Sequence, residues 1–436
     1  MAISQNFPDE GPTLNLNFAG SKVLDPRITF IRSSVGTYMD ANGLVVTGSA
    51  DSSRFDHRYV NGEIESLGLL VEERRTNVLL YSEEFDSWSN NNASVTANAT
   101  TAPDGTTTAD KLVENSSTGN KEVYQSATFT SGTSLTFSCF AKAGERTRFR
   151  LAATTARFDS STNAYFDLSA GTVVTTTGGF TSASIEAYPN GWYRCVGTML
   201  PTSSGTNNVF ITLVNTGTNT GYTGDGSSGV FIWGAQLEAD KDVSSYIPTT
   251  NATVTRNSDN AYFDDISDFF NINEGTAVFT YSPRFDGVYN DSFASLFNFS
   301  STANSNKIGF AGNSNNSQLY FNNYSTLIDG GSFTWLTPGV PTRNVIERIL
   351  VSYASTYLRM YANEEAPAST GSFNRDDLIP LQVSGISTYT SSMDGLVFGS
   401  GSKGTANGKV NLNIETFVYY PSEVGISNGK TLSKNP

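Results

Sequence analysis

Between Ser134 and Lys142 the chain reads Ser-Leu-Thr-Phe-Ser-Cys-Phe-Ala-Lys, with apolar side chains on nearly every second residue. Successive side chains of an extended strand point to opposite faces, so a period of two marks a ribbon with one face buried. The pattern returns along the chain in short runs, each closed by a turn signal. Asn163–Leu168 is followed by a Ser169-Ala170-Gly171 turn and Thr172–Val174, which predicts a hairpin. Gly191–Val196 opens from Pro189-Asn190-Gly191, and Val209–Val214 and Gly229–Leu237 follow. Thr276–Tyr281, Ser292–Phe299, Lys307–Phe310, Glu347–Tyr353, Tyr357–Tyr361 and Asn413–Tyr420 continue the series. Long amphipathic helices would need Glu, Lys, Arg, Ala and Leu, but charged residues make up only 16% of the chain. Thr, Ser, Asn, Gly, Phe and Tyr stand in their place, residues that suit pleated surfaces and the turns between them. The expectation is an all-β protein.

With 436 residues the chain exceeds one ordinary domain, and three regions separate. Residues 1–81 carry short apolar runs between turn signals, Asn42-Gly43 and Asn61-Gly62 among them, each a hairpin signature. They have too few consecutive apolar positions for a core of their own. They read as an extended, β-rich segment that packs on something else, a second copy or another protein. Glu72-Glu73-Arg74-Arg75 is an unusual charged stretch in so charge-poor a chain. Residues 82–250 and 255–436, joined through Pro248-Thr249-Thr250-Asn251, each read as a β-sandwich. Neither a fixed-period repeat nor a heptad run is present.

The formal charge of −14 repels phosphate backbones, and no basic stripe offers an exception, so nucleic acid is not an expected partner. No window of about 18 apolar residues exists, so membrane insertion is not expected either. The first twenty residues lack the basic and apolar segments of a signal peptide. Two cysteines, Cys139 and Cys195, are too few for a disulfide framework. They read as buried thiols, with pairing open if their strands adjoin.

Several segments carry a resemblance. Leu24-Asp25-Pro26-Arg27-Ile28-Thr29-Phe30, Arg32-Ser33-Ser34, Thr37–Gly43, Arg54-Phe55-Asp56-His57 and Gly68–Asn77 are similar to the opening of tailed-bacteriophage fibre proteins, of the tail-fibre and head-spike type. Ala102–Thr106, Ala109–Leu112, Ala141–Glu145, Asn190–Arg194, Trp233–Glu238 and Tyr246–Thr249 resemble the carbohydrate-binding-type jelly roll that follows in such proteins. Glu274-Gly275-Thr276 and Tyr419-Tyr420-Pro421 resemble a concanavalin A-like, laminin-G-type module. The resemblance implies two tandem β-sandwich modules behind an N-terminal segment, residues 1–81, that attaches to other virion proteins. It implies a structural fibre protein, assembled in the host cytoplasm into a virion and displaying sandwich modules to host-surface glycans. It also implies a homo-oligomer, a trimer. A capsid-attached head fibre or decoration protein is the alternative within that class, and a polysaccharide depolymerase the alternative outside it.

No catalytic residues stand out. His57 is the one histidine, so Ser-His-Asp and Cys-His catalysis would both need it, yet it lies in the attachment segment. One His and two separated Cys do not make a zinc site. Paired carboxylates could hydrolyse a glycan, but no acidic pair stands beside an aromatic platform, and Asp264-Asp265 and Asp376-Asp377 read as loop positions. No cofactor is expected. Asp104, Asp167 and Asp225 lie near turns where a structural calcium would find carboxylates, but no spacing selects them and an ordinary turn role fits them better. For glycan binding, Trp335 in a loop-like stretch near Tyr320 and Tyr324 is the candidate platform. The bland alternative is a tryptophan covering a sandwich edge or an oligomer contact. Trp192 and Trp233 sit inside apolar strands and read as packing residues.

Overall fold

The structure is a computed structural model. It describes residues 11–271, 273–284, 294–300, 307–313, 318–321, 343, 345–354, 357–362, 395–398 and 411–422. The fold is all-β. Among the described residues, helix is confined to one α turn, Phe18–Ser21, and three short 3-10 turns. No helix there is long and apolar enough to cross a membrane.

Local chemistry explains the hairpins. Asn61 and Gly62 both take positive φ, 53° and 91°, as a type I′ turn requires. They join Phe55–Val60 to Glu63–Val71, with Val60 opposite Glu63. Asn42-Gly43 lies in the loop between Gly36–Met39 and Val45–Gly48, where the Asp40 carboxylate accepts hydrogen bonds from the backbone N–H groups of Asn42 and Leu44. Gly68 is needed for a different reason. Its φ is +85°, and a Cβ there would stand 2.1 Å from the Ile414 carbonyl oxygen. It sits where the Phe55–Val60 pairing shifts register, so a β-bulge is built on it.

Residues 82–250 form a β-sandwich of two six-stranded sheets. One runs Phe180–Ala187, Trp192–Met199, Leu135–Ala143, Gly229–Ala239, Ala109–Glu114, Ala93–Thr100. The other runs Thr172–Thr177, Thr162–Asp167, Arg148–Ala153, Gly205–Val214, Glu122–Phe129, Ser89–Asn91. The alternating residues that face inward, among them Phe137, Cys139, Phe149, Leu151, Phe166 and Ile211, make one core. Trp88 closes it, its ring 5.1 Å from Phe85.

The second sandwich draws on both ends of the chain. Its seven-stranded sheet runs Tyr357–Ala362, Glu347–Ala354, Gly275–Pro283, Leu412–Tyr420, Glu63–Val71, Phe55–Val60, with Leu14–Asn17 paired to Leu412–Tyr420. Its six-stranded sheet runs Ile28–Ile31, Asn260–Phe263, Gly395–Phe398, Ala294–Ser300, Lys307–Asn313, Gln318–Phe321. The two sheets share a phenylalanine-rich core in which Phe417 packs edge-on against Phe398 at 5.2 Å and Phe297 at 5.3 Å. Residues 11–77 therefore pack within their own chain, on the strands from residue 260 onward and on the inserted sandwich, where the sequence points to a second copy or another protein. Their runs are too short to bury a face alone, but single strands of that length complete sheets begun elsewhere. The jelly-roll sandwich is inserted between the two halves, and its entry and exit run side by side as an antiparallel ribbon, Arg75–Asn77 with Val254–Arg256.

Behind that ribbon lies a fully buried ion network. Arg54 contacts Glu72 Oε2 at 2.8 Å and Asp259 Oδ2 at 2.5 Å, and Arg32 reaches Asp259 Oδ1 at 3.2 Å. Arg256 Nε lies 3.4 Å from Glu72 Oε2. Most of the other valences are met locally, though the buried Nε atoms of Arg54 and Arg256 find no hydrogen-bond partner among the described residues. Ser245 donates its N–H and hydroxyl to Glu72, Glu72 N–H donates to Asp259, and the arginines donate to the Thr37, Ser49, Ser52 and Glu73 carbonyls. Burial alone would raise the Glu72 carboxyl, but the Arg256, Arg54 and Arg284 guanidinium groups hold it well below the usual range. The charged stretch noticed in the sequence is thus half of a knot tying all three regions.

Cys139 and Cys195 stand opposite each other on adjacent strands, unbonded and fully buried. Burial pushes the Cys139 thiol up to about 12 and the Cys195 thiol well above its ordinary value. Both should resist a thiol reagent at mildly alkaline pH in the folded protein and react fully in denaturant, read by mass spectrometry. Asp259→Asn, which leaves Arg32 and Arg54 buried without their carboxylate, should cost about 3–5 kcal/mol in urea-unfolding experiments.

Candidate functional site

A β-sandwich has two outer faces, and the inserted module uses them differently. On the sheet containing Leu135–Ala143, the outward residues are Phe140, Trp192, Trp233 and Arg194. They are buried beneath Met39 and Val45 of the N-terminal hairpin, with Tyr59 and Ile64 packed alongside. Phe140 meets Tyr188 at 4.9 Å and Trp233 at 5.3 Å, both edge-on, and Trp233 lies 4.8 Å from Tyr246. The indole N–H groups are satisfied, Trp192 donating to the Thr101 carbonyl and Trp233 to the Thr108 hydroxyl. Both tryptophans are packing residues, as their sequence context predicts, but they pack across the joint between units.

The joint also encloses a cavity of about 20 Å³, room for one water. His57 and Asp56 line it, with Glu186, Arg194 and Arg284. The Asp56 carboxylate is engaged by Arg284 and by the Met39 N–H, while His57 Nδ1 donates to the Met39 carbonyl. His57 is therefore a buried joint residue.

The opposite outer face is partly exposed: Tyr124, Phe210 and Arg150 are half-buried, while Thr212, Glu122 and Tyr165 between and beside them are buried. Phe149, Leu151, Val209 and Ile211 point inward, so alternation sends Tyr124, Phe210, Arg150, Thr212, Glu122 and Tyr165 outward. Strand register aligns them in two rows. The first reads Tyr124, Phe210, Ala152, Asn163, Thr177, and the second Glu122, Thr212, Arg150, Tyr165, Thr175. Tyr124 and Phe210 are half-buried, with ring centroids 5.4 Å apart and planes at 39°. Ser89, Asn91 and Ser126 are exposed beside them. Ser126 donates to the Asn208 side-chain carbonyl at 2.8 Å, and Thr212 donates to Glu122 Oε2 at 3.1 Å. Arg150 donates to the Asn163 side-chain carbonyl at 2.9 Å, and its Nη2 lies 3.6 Å from Glu122 Oε2. A paired aromatic platform flanked by amide, hydroxyl and carboxylate groups can hold a polyhydroxylated ligand, ring against ring with polar atoms at the edge.

The aromatic residues selected from the sequence fall elsewhere. Trp335 and Tyr324 lie outside the described residues. Tyr320 lies on the Gln318–Phe321 strand of the second sandwich, and its side chain is outside the description. Tyr124 and Phe210 escaped notice because each looks like an ordinary strand residue, and only the Tyr124–Phe210 register makes them a pair. The aspartates singled out for calcium are engaged in turns. Asp104 accepts from the Thr106 N–H and hydroxyl, and Asp225 from Ser227 and Ser228. Asp167 accepts from Ser169, Ala170 and Arg148. Among the described residues, no group of three or more His, Cys, Asp or Glu is placed to hold a metal.

No protein-family model matches the chain, and no curated protein matches it. Among solved structures it is similar to a Trypanosoma rangeli sialidase in complex with sialic acid, at 10% identity and a TM-score of 0.28, covering 74% of this chain and 60% of that one. It is also similar to the N-terminal CBM22-1–CBM22-2 tandem domain of Paenibacillus barcinonensis Xyn10C, at 8% identity and a TM-score of 0.22, covering 80% of this chain and 97% of that one. The chain thus spans about 60% of the sialidase's length.

Asp167 gives this sheet an acid limit. Burial would raise its carboxyl, but the Ser169 hydroxyl, the Arg148 guanidinium and the Ala170 and Ser169 N–H groups bring it down to about 2 from 3.8. A depressed folded value means that its contribution is full above the unfolded value and is lost as pH falls from about 4 to about 2. Thermal melts across that window should show Asp167→Asn flattening the decline seen in the native protein.

Proposed function

We propose that this chain is a non-enzymatic structural fibre protein of a tailed-bacteriophage virion, and that its inserted sandwich meets host-surface glycans through the Tyr124–Phe210 face. One observation carries the glycan half of the reading. Of the module's two outer faces, one is sealed against the N-terminal hairpins by tryptophan and phenylalanine, and the other presents adjacent half-buried rings among polar side chains. Rings that served only folding would be expected under cover, as on the sealed face.

The virion half rests on the N-terminal motifs. Arg32, Arg54 and Glu72, members of the segments that resemble phage fibre proteins, all enter the buried network. Anchoring to other virion proteins then falls to the composite sandwich that residues 11–77 share with the C-terminal strands. Assembly in the host cytoplasm and a homotrimeric fibre complete the proposal.

Purified particles of the parent phage should contain this chain by mass spectrometry, and its absence from them would remove the virion reading. Tyr124→Ala and Phe210→Ala should each weaken adsorption of the pure protein to host cells at least tenfold, roughly 1.4 kcal/mol. Their melting temperatures should stay close to that of the unaltered protein, because neither ring belongs to the module core.

A further inference from the structure

We infer that the ligand of the Tyr124–Phe210 face is an uncharged glycan of at least two sugar rings, and that the Arg150–Glu122 pair beside the platform reads its hydroxyls. This rests on the reading of the face as a glycan platform and adds the class of glycan.

The charges on the face are already balanced. Arg148 directs both Nε and Nη2 at Asp167 Oδ2, at 2.8 and 2.6 Å, and the other Asp167 oxygen accepts from Ser169 and Ala170. Arg150 spans Asn163 and Glu122. Each guanidinium therefore faces a carboxylate, two cations against two anions. A uronate, sialate or sulfate group is held by a free guanidinium or by converging N–H donors. Drawing Arg150 to such a group would strip it from Glu122, whose side chain is only 9% exposed, and leave that carboxylate buried without its cation. The chain's net charge of −14 adds long-range repulsion toward any polyanion. An amino sugar meets the converse obstacle, since both carboxylates already face arginine.

Neutral hydroxyls fit better because each can donate and accept. Glu122 Oε2 is held by Thr212 and Arg150, while Oε1 receives no hydrogen bond from the described residues and can accept from a sugar hydroxyl. The Asn91 and Asn208 amides and the Ser126 hydroxyl border the rings with further neutral partners. The 39° tilt between the rings presents two facets, so successive sugars turned relative to each other would each find one.

Calorimetric titration of the full-length protein with matched oligosaccharides, neutral chains against uronic-acid, sialylated and sulfated counterparts, tests this at low and high salt. The expected result is binding of a neutral chain, acidic counterparts at least tenfold weaker, affinity insensitive to salt, loss in Phe210→Ala and weakening in Glu122→Gln at unchanged melting temperature. Equal or tighter binding of an acidic chain, or affinity that falls steeply with salt, overturns the selectivity and leaves the glycan platform standing. Failure of every glycan, neutral or acidic, overturns the platform and this inference together. A change of oligomeric state in Phe210→Ala would do the same, by giving the face to a second copy of the chain.

Discussion

Two buried carboxylates, Glu72 and Asp259, hold three buried arginines, and the relation between the chain's parts depends on that arrangement. Burying charges costs desolvation that apolar packing would avoid, so the return is in placement more than in raw stability. Glu72 is satisfied only when Ser245, from the end of the inserted module, and Arg256, from the return strand, are both in position. Asp259 likewise needs Arg32 and Arg54 from the first region. A shift of one residue in any of the three segments would leave a charge without its counterpart. The aromatic seal around Phe140 and Trp233 lies next to this knot, and its rings pack well only if the polar contacts have set the angle.

The binding proposal follows from that fixed angle. Once one sheet of the module is sealed against the N-terminal hairpins, the opposite sheet is turned outward, with its rows of side chains set by backbone register. Tyr124, Phe210 and Arg150 come from three strands and owe their proximity to hydrogen bonds that do not involve their side chains. A site built on strand registry is stiff, and a stiff site loses little entropy when a ligand arrives.

Much of the architecture is legible in the sequence, because period two and turn chemistry are local properties. Gly229–Leu237 reads as a strand and is found as Gly229–Ala239, and Asn61-Gly62 predicts a turn that its positive φ values complete. What local patterns cannot carry is the identity of the partner. Leu14–Asn17 looks like an orphan run until it meets Leu412–Tyr420 near the other end of the chain. The Glu72–Arg75 stretch is conspicuous, but Asp259, which shares its arginine, lies far along the chain. Alternation also says that a strand has two faces without saying which is covered. Trp192 and Trp233 could be read as buried, though not that the N-terminal hairpins bury them. Tyr124 and Phe210 carry no mark that separates them from other strand aromatics.

The interleaved topology sets a timetable for biosynthesis. Strands within residues 14–71 emerge early, yet three of them, Leu14–Asn17, Ile28–Ile31 and Glu63–Val71, pair with strands between Asn260 and Tyr420. At ~5–20 residues per second, the ribosome takes on the order of tens of seconds to supply them. During that interval the three strands with late partners expose unpaired edges, while the strands of the inserted module pair with one another as they emerge. The polypeptide must therefore finish its middle before it can close its beginning, and nascent chains crowded on one message could trade those waiting strands with one another.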